Sequence, residues 1–568
     1  MSVSFEQACA LVMAPGSLLE ITDGEVGGVP MKVFAGAPPS LRTIFDLAAM
    51  RDDEFMIYED ERWTMPQILK LAGQIGHLLV DGHGVTKGDR VAIAMRNYPE
   101  WVASFAAIVS IGAVAVPLNA WWEAEEFHFA LDDSGAGVAL VDDERLERLA
   151  RTEPGAIRSA IIVARSQASD DEFTALAGHL APQATKLENQ LTADATMPVA
   201  EIEATDNATI LYTSGTTGHP KGALSTHQAV ISALMSFMAR AMVGQVQDGI
   251  DPTAQTDAPP RVFMLPVPLF HVTGLVPVML GSFVSGARLV MTHRWNPDRA
   301  LELIERERVT NFVGVPTMSW DLLEAATFDE RDTSSLESVG GGGAPMPAEL
   351  VRRIEANFSQ GRPGLGYGMT ETNAYGPQIT GDEFVANPTS TGRPIPVMEV
   401  RVTDTDGTPL PAGEVGEIWF KGPMIIKGYW NRPEATTETI VDGWLRTGDI
   451  GRVDETGLVY VSDRAKDMVL RGGENIYCAE VEAAIYEHAA VYEAAVYGIP
   501  HDRLGEDLAC HIMVKPGMTI SEADLQSFLD GRLAKFKIPG QITVVTEPLP
   551  RNASGKILKR TLRDLVSP

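Results

Sequence analysis

Residues 212–223 read YTSGTTGHPKGA. Three glycines, a proline, a run of hydroxyls and Lys221 sit between an apolar, β-prone stretch (ATILYT) and a long helical one (HQAVISALMSFMARAMV). A loop of this kind between strand and helix suits an anion. Glycine lets backbone N–H groups turn toward a phosphate, hydroxyls add donors, and the lysine adds charge. The loop is not the Walker sequence, which needs G-x-x-x-x-G-K-[ST]; here Lys221 precedes a glycine. A P-loop kinase or GTPase is thereby excluded.

Outward from the loop, the first ~460 residues keep alternating helical and strand patterns. WTMPQILKLAGQIGHLLVDG has helical apolar spacing and ends on glycine, DRVAIAM is a short buried strand, and WVASFAAIVSIGA followed by VAVPL repeats helix then strand. RLVMT, NFVGV and SVGGGG read as further strands. The pattern predicts an α/β fold with largely parallel sheets. From about 395 the style changes: MEVRVTDTDGTPLPAGEVGEIWFKG alternates, with D-G and P-A-G turns, and predicts hairpins. After Asp463 a smaller α+β pattern begins, in which Ser521 and Asp524 predict a capping box for a helix over EADLQSFLDGRLA.

The chain has 568 residues, too many for one core, and a net charge of −30, which disfavours nucleic acid and anionic membrane surfaces as partners. Its three cysteines, Cys9, Cys478 and Cys510, form neither a metal spacing nor a disulfide framework, so a reducing cytoplasm is expected. The N-terminus has no basic region ahead of its apolar run and does not read as a signal peptide. Residues 101–122 and 262–287 carry no Lys, Arg, Asp or Glu, but prolines and glycines interrupt both, so no transmembrane segment is expected. Residues 244–260 read as a solvated loop. Against the overall acidity, residues 531–560 hold seven basic side chains and the single acid Glu547, a local basic face open to an anionic ligand.

Three further stretches carry chemistry. VGGGGAPM (339–346) allows close backbone approach to a flat ligand. LGYGMTET (365–372) offers Tyr367 for stacking on a base and Glu371 for Mg²⁺ on phosphate oxygens. WLRTGD (444–449) ends on an acid able to accept from ribose hydroxyls.

In order along the chain stand YTSGTTGHPKG, PLFHVTG, GGAP, YGMTE, TGD, SDRAKDMVLRGGENI and RNASGKILKR. Together they make the chain, from about residue 40 to 565, resemble the adenylate-forming superfamily of acyl-CoA synthetases, nonribosomal adenylation domains and beetle luciferases. The resemblance implies a large N-terminal domain (1–462) of two α/β subdomains and a β-rich subdomain, a hinge at 463–466, and a small mobile α+β C-terminal domain (467–568). It implies ATP, Mg²⁺ and CoA as cofactor and co-substrates. The reaction would activate a carboxylate as acyl-AMP and pass it to a thiol.

By the same resemblance, Thr213, Ser214, Gly215, Thr216, Thr217 and Lys221 form the phosphate loop. Gly343, Ala344, Pro345, Tyr367 and Gly368 flank adenine, while Met369 and Thr370 line the α-phosphate and the acyl carboxylate. Asp449 and Arg464 hold the ribose and Glu371 the metal. Lys556 bridges carboxylate and α-phosphate, with Thr370 and His271 also expected at the reacting atoms. Lys466 matches the hinge. Gly472 and Gly473 would line a pantetheine tunnel, and Lys535 and Lys537 would meet the CoA phosphates. Cys478 stands where relatives carry proline, a change expected to alter only the start of the next helix.

Amino-acid-activating relatives place an aspartate near PLFHVTGL; here the place is taken by His271 among apolar residues. With Val315, Gly341, Gly342 and Met369 it is expected to line the acyl site. The wall formed by Val230, Ile231, Leu234, Met235, Met238 and Val313–Pro316 is apolar, which suits a fatty or aryl-aliphatic acid. The chain runs twelve residues past Lys556, so the acceptor is expected to be diffusible: CoA first, a separate acyl carrier protein as the alternative. A binding protein without catalysis is disfavoured by the intact Lys221, Glu371, Asp449, Arg464 and Lys556. A homodimer is compatible with the sequence.

Overall fold

The computed structural model describes residues 3–213, 220–252, 254, 259–552 and 555–566. Two large sheets form the body. The first runs, in spatial order, Gly428–Tyr429, Lys221–Thr226, Asn207–Thr213, Val114–Pro117, Arg90–Ala94, Val138–Val141, Ala160–Val163 and Ala184–Lys186. From Asn207–Thr213 onward every neighbour is parallel. The second runs Gln378–Thr380, Arg362–Gly366, Ser338–Gly342, Asn311–Gly314, Val262–Leu265, Arg288–Met291, Glu54–Tyr58 and Glu61–Thr64, antiparallel only at its two edges. Parallel strands are covered on both faces, so they read as unbroken apolar runs: Val114–Pro117 and Val138–Val141 are buried at every position.

The charge-free run at 101–122 resolves into the helix Pro99–Ser110 and the strand Val114–Pro117, separated by Gly112 at φ +76°. That helix is buried at every residue, so it needs no polar face. The second charge-free run becomes the strand Val262–Leu265, a π-helical turn Gly274–Leu280 around Pro277, and the short helix Gly281–Ser285. Among the described residues one helix, His227–Gln247, is long and apolar enough to cross a membrane, with a mean hydropathy of 1.5. Most of it lies inside the protein core, which accounts for its composition. The loop expected from 244 begins only after Gln247, where this helix ends.

A third, antiparallel sheet joins Glu399–Thr403, Gly416–Lys421, Trp444–Val453, Ile440–Val441 and Val459–Arg464. Its first turn is the expected D-G turn: the Asp404 carboxylate accepts from the N–H groups of Asp406 and Thr408, and Gly407 takes φ +82°. The strand Val459–Arg464 includes Asp463 and Arg464; a turn at 465–467 then leads to Val469–Arg471. Beyond it, Glu474–Ile476, Val469–Arg471, Gly505–Val514, Val491–His501 and Gln541–Val545 form a fourth sheet with apolar clusters of its own. The Ser521–Asp524 capping box is present, but the helix stops at Leu529 instead of reaching 534, because the chain turns through Gly531 at φ +84°.

Candidate active site

Three neighbouring parallel strands, Asn311–Gly314, Ser338–Gly342 and Arg362–Gly366, end side by side. Their C-terminal ends deliver Val315, the segment 343–345 and the segment 367–369, the edge where parallel sheets place ligands. The glycine row belongs mostly to the sheet. A Cβ on Gly340 would lie 2.2 Å from the Gly364 carbonyl oxygen, on Gly341 1.7 Å from that of Gly314, and on Gly342 2.4 Å from that of Gly366. These residues therefore let strands approach strands; at Gly343 (φ +84°) the neighbour of an added Cβ becomes Lys556 Cε, at 3.7 Å.

Lys556 arrives from the fourth sheet on a tight hairpin closed between Arg551 and Ile557. Asn552 holds it twice: its side-chain oxygen accepts from Lys556 N at 2.9 Å, and its own N–H donates to the Lys556 carbonyl at 2.9 Å. Arg551 donates to the Gly555 carbonyl and pairs with Glu493 at 2.6 Å. The lysine ends deep in the cleft, where it lines a nearly closed cavity of about 10 Å³ with Val267, His271, Thr273, Val315, Gly342 and Gly343. Burial, with help from the Arg464 guanidinium, lowers its pKa to about 8, against the opposing pull of Asp449 and Glu371. Burial likewise lowers His271 to about 4, so its imidazole is neutral at pH 7. Its Nδ1 accepts from Thr273 N at 3.4 Å.

Two carboxylates flank the lysine. Glu371, in the short turn Thr370–Thr372, is 7% exposed and accepts from the Tyr429 hydroxyl at 2.7 Å. The Lys221 ammonium lies over the Tyr429 ring, 5.1 Å from its centroid, so Tyr429 links the Glu371 carboxylate to Lys221. Asp449, 5% exposed, accepts from the Tyr367 hydroxyl at 2.5 Å and lies 3.5 Å from Arg464 Nε. Burial raises its pKa, and Arg464 opposes that. Tyr367 packs against Phe420 with ring centroids 5.6 Å apart. Gly368 has no room for a side chain, because a Cβ there would lie 2.1 Å from the Ala374 carbonyl oxygen. Thr213 donates to the Lys221 carbonyl across the hairpin at 3.3 Å. Ser214, Gly215, Thr216 and Thr217 lie outside the described residues.

Lys556, His271, Val315, Gly342, Gly343, Glu371, Asp449, Arg464 and Tyr367 thus converge, with Lys221 behind Tyr429. The residues assigned to CoA do not join them here. Gly472 and Gly473, at φ +61° and +94°, form the two-residue turn between Val469–Arg471 and Glu474–Ile476. Lys535 is exposed, whereas Lys537 is bound by Glu480 at 2.7 Å. The basic segment is not an open face: Arg532 pairs with Glu487, Arg551 with Glu493 and Lys559 with Glu482. Lys466 falls in the turn after Arg464. Cys478 opens the helix Cys478–Tyr486 and donates its thiol to the Asp467 carbonyl at 3.1 Å; burial pushes its pKa up.

Sequence reasoning missed Tyr429, Asn552 and the Arg551–Glu493 pair. The first two carried a signal: an aromatic beside glycine in KGYW, and an Asn three residues before Gly555 in RNASG, an Asx-turn spacing.

The family model described as AMP-binding enzyme matches residues 46–430, and that for the AMP-binding enzyme C-terminal domain matches residues 480–556. A long-chain-fatty-acid–CoA ligase of Mycobacterium tuberculosis is 35% identical over 512 residues, 89% of this chain and 94% of that protein. A feruloyl-CoA synthase of Amycolatopsis is 35% identical over 483 residues, 84% of this chain and 89% of that protein. Among solved structures, the o-succinylbenzoate CoA synthetase of Bacillus subtilis in complex with its acyl-adenylate intermediate superposes with a TM-score of 0.75 at 30% identity, covering 93% of this chain and 98% of that one.

Proposed function

Because this chain belongs to the AMP-binding enzyme family and is an ATP-dependent acyl-CoA synthetase, we propose that it activates a hydrophobic carboxylic acid, fatty or aryl-aliphatic, with the residues gathered around Lys556. The observation that carries the assignment is the arrival of Lys556 from the C-terminal sheet beside Gly343 and His271, within the field of Glu371 and Asp449. A carboxylate oxygen attacks the α-phosphorus of ATP; the bond to the bridging oxygen breaks, leaving acyl-AMP and pyrophosphate. The thiol of CoA then attacks the acyl carbon, AMP leaves with the bonding pair, and the thiol proton passes to solvent. Two anions must meet in the first step, and a cation between them offsets their repulsion. Lys556 is that cation. Bound phosphates would raise its pKa from about 8 and keep it charged.

Asp449 and Arg464 would hold the ribose. The Tyr367 hydroxyl already fixes one Asp449 oxygen, so the carboxylate is oriented before nucleotide arrives. Among the described residues no cluster of three His, Cys, Asp or Glu side chains is placed to hold a metal. Mg²⁺ takes one or two carboxylates and draws its other ligands from phosphate and water; Glu371, buried with one oxygen on the Tyr429 hydroxyl, would be the carboxylate. Bound there, the ion would neutralise phosphate charge.

The acid would enter beside His271, whose neutral ring offers no charge to an α-amine. The wall behind it is apolar: Val230, Ile231, Leu234 and Met235 are buried and Met238 is partly so. The proteins compared above are CoA ligases, so CoA is the acceptor supported, ahead of a carrier protein. With the thiol needing the space of Lys556, release of the C-terminal domain about Lys466 would separate the two steps, and Gly472 and Gly473 would then approach the site. Lys535 is the freer of the two lysines proposed for the CoA phosphates. The three thiols are buried and unpaired, in keeping with a reducing compartment. The test is AMP release from ATP across fatty, phenylalkanoic and aromatic acids, with and without CoA. CoA-dependent AMP release that is lost in Lys556→Ala is expected; accumulation of acyl-adenylate without CoA turnover would overturn CoA as acceptor.

A further inference from the structure

We propose that Tyr492 and Asp321 form the docking contact that positions Lys556 for carboxylate activation, and that this contact sets how the two half-reactions share the enzyme. The inference rests on the ligase reading and adds two positioning residues to it. The strand Val491–His501 opens on a break in its register against Gly505–Val514: Val491 faces Val514 and Glu493 faces Met513, so Tyr492 is the extra residue of a bulge, a position that re-aims a side chain. Glu493 grips the hairpin that carries Lys556, through Arg551 at 2.6 Å and the Leu549 N–H at 2.9 Å. Its neighbour Tyr492, set free of the ladder by the bulge, reaches the large domain, where its hydroxyl donates to Asp321 Oδ1 at 2.7 Å. One strand therefore holds the lysine loop by one residue and the large domain by the next.

The receiving carboxylate is itself fixed. Asp321 Oδ2 accepts from Trp295 Nε1 at 2.8 Å, so both oxygens are held. Asp321 lies on the helix Pro316–Leu323, and the residue before that helix, Val315, lines the cavity that Lys556 enters. A short, regular element thus connects the docking point to the reacting site. Just past the helix, Glu324 faces Lys515 of the small domain at 3.8 Å and is also bound by Arg353. That pair is more exposed and contributes less. Neither Tyr492 nor Asp321 touches the reacting atoms; they act by keeping the lysine where it is needed.

The experiment compares full-length wild type with Tyr492→Phe in two separate assays. Acid-dependent exchange of pyrophosphate into ATP without CoA reads adenylation; thioester formation from added acyl-adenylate and CoA reads transfer. Loss of one hydrogen bond to a carboxylate is expected to slow exchange by about tenfold. Transfer should be unchanged or faster, and the melting temperature retained. The amine-labelling midpoint of Lys556 should move from about 8 toward that of an ordinary lysine as the hairpin leaves the cleft. Asp321→Asn should shift the same balance, and serves if Tyr492→Phe folds poorly. Equal loss in both assays, or no change in either, would overturn the docking role. A wild type that supports neither exchange nor transfer with any acid would overturn the ligase reading, and this proposal with it.

Discussion

Gly342 and Lys556 line the same small cavity and are kept there by unlike means. Gly342 ends a parallel strand beside Gly366, whose carbonyl leaves no space for a methyl group. Lys556 sits on a hairpin closed by Asn552, braced by Arg551 and Glu493, and carried by a domain with its own core. The first half of the site can change only if the sheet changes. The second is secured by a handful of polar contacts, each costing about 0.5–3 kcal/mol to break. Under the proposed reaction, the surfaces that persist through both chemical steps would be built on strand ends of the sheet, and the one group needed for the first step alone would be delivered by a separate domain.

Four experiments press on that contrast. Lys556→Met should lower AMP formation by about 10²–10³-fold, the usual cost of removing a preorganised charge from a transition state. The urea midpoint should stay near that of wild type; a large fall would mean that the lysine holds the domains together and is not chiefly a catalyst. Gly342→Ala should do the reverse. A methyl group 2.4 Å from the Gly366 carbonyl must push strands apart, at about 1–3 kcal/mol of stability, read as a lower urea midpoint. Asn552→Ala should cost about 1 kcal/mol of hairpin order, roughly a fivefold drop in pyrophosphate exchange with the fold unchanged. Equal activity would show that the hairpin holds without its side-chain bond.

The smallest effect is on pH. The Lys556 pKa falls from 10.5 to about 8 on folding, chiefly by burial. Between those values the unfolded chain binds the proton that the folded chain has lost. This one group therefore makes stability rise with pH across the window. Amine labelling of Lys556 should show a midpoint near 8 in the free enzyme and a higher one with ATP bound. A midpoint near 10.5 in the free enzyme would show that the hairpin stands away from the cleft.

The sequence made the body of the fold legible because parallel strands buried on both faces leave apolar runs, as at Val138–Val141, and because D-G turns and a capping box are local. The order of motifs marked most of the site. What stayed hidden depends on long-range pairing. The basic residues after 531 looked like an open face, yet Glu480, Glu482, Glu487 and Glu493, 45 to 77 residues before their partners, neutralise four of them. Summing charge along a window cannot see partners on a helix and a strand that the fold brings alongside. The bridge from Glu371 through Tyr429 to Lys221 was hidden for the same reason, and so was the meeting of Tyr492 with Asp321, 171 residues apart. The glycine row read as room for close backbone approach to a flat ligand, but steric closeness within the sheet accounts for most of it.

The turn at 465–467 leaves Lys556 in the position of a tethered reagent. Its local concentration at the site is fixed by a few residues of linker, so dilution of the protein does not affect the encounter. If the small domain moves about that turn as proposed, linker length and stiffness would act as a kinetic control independent of the chemistry. If the chain were cut in that turn, the same lysine would have to find its site by diffusion. Activity at low enzyme concentration would then fall with the square of the protein concentration instead of linearly.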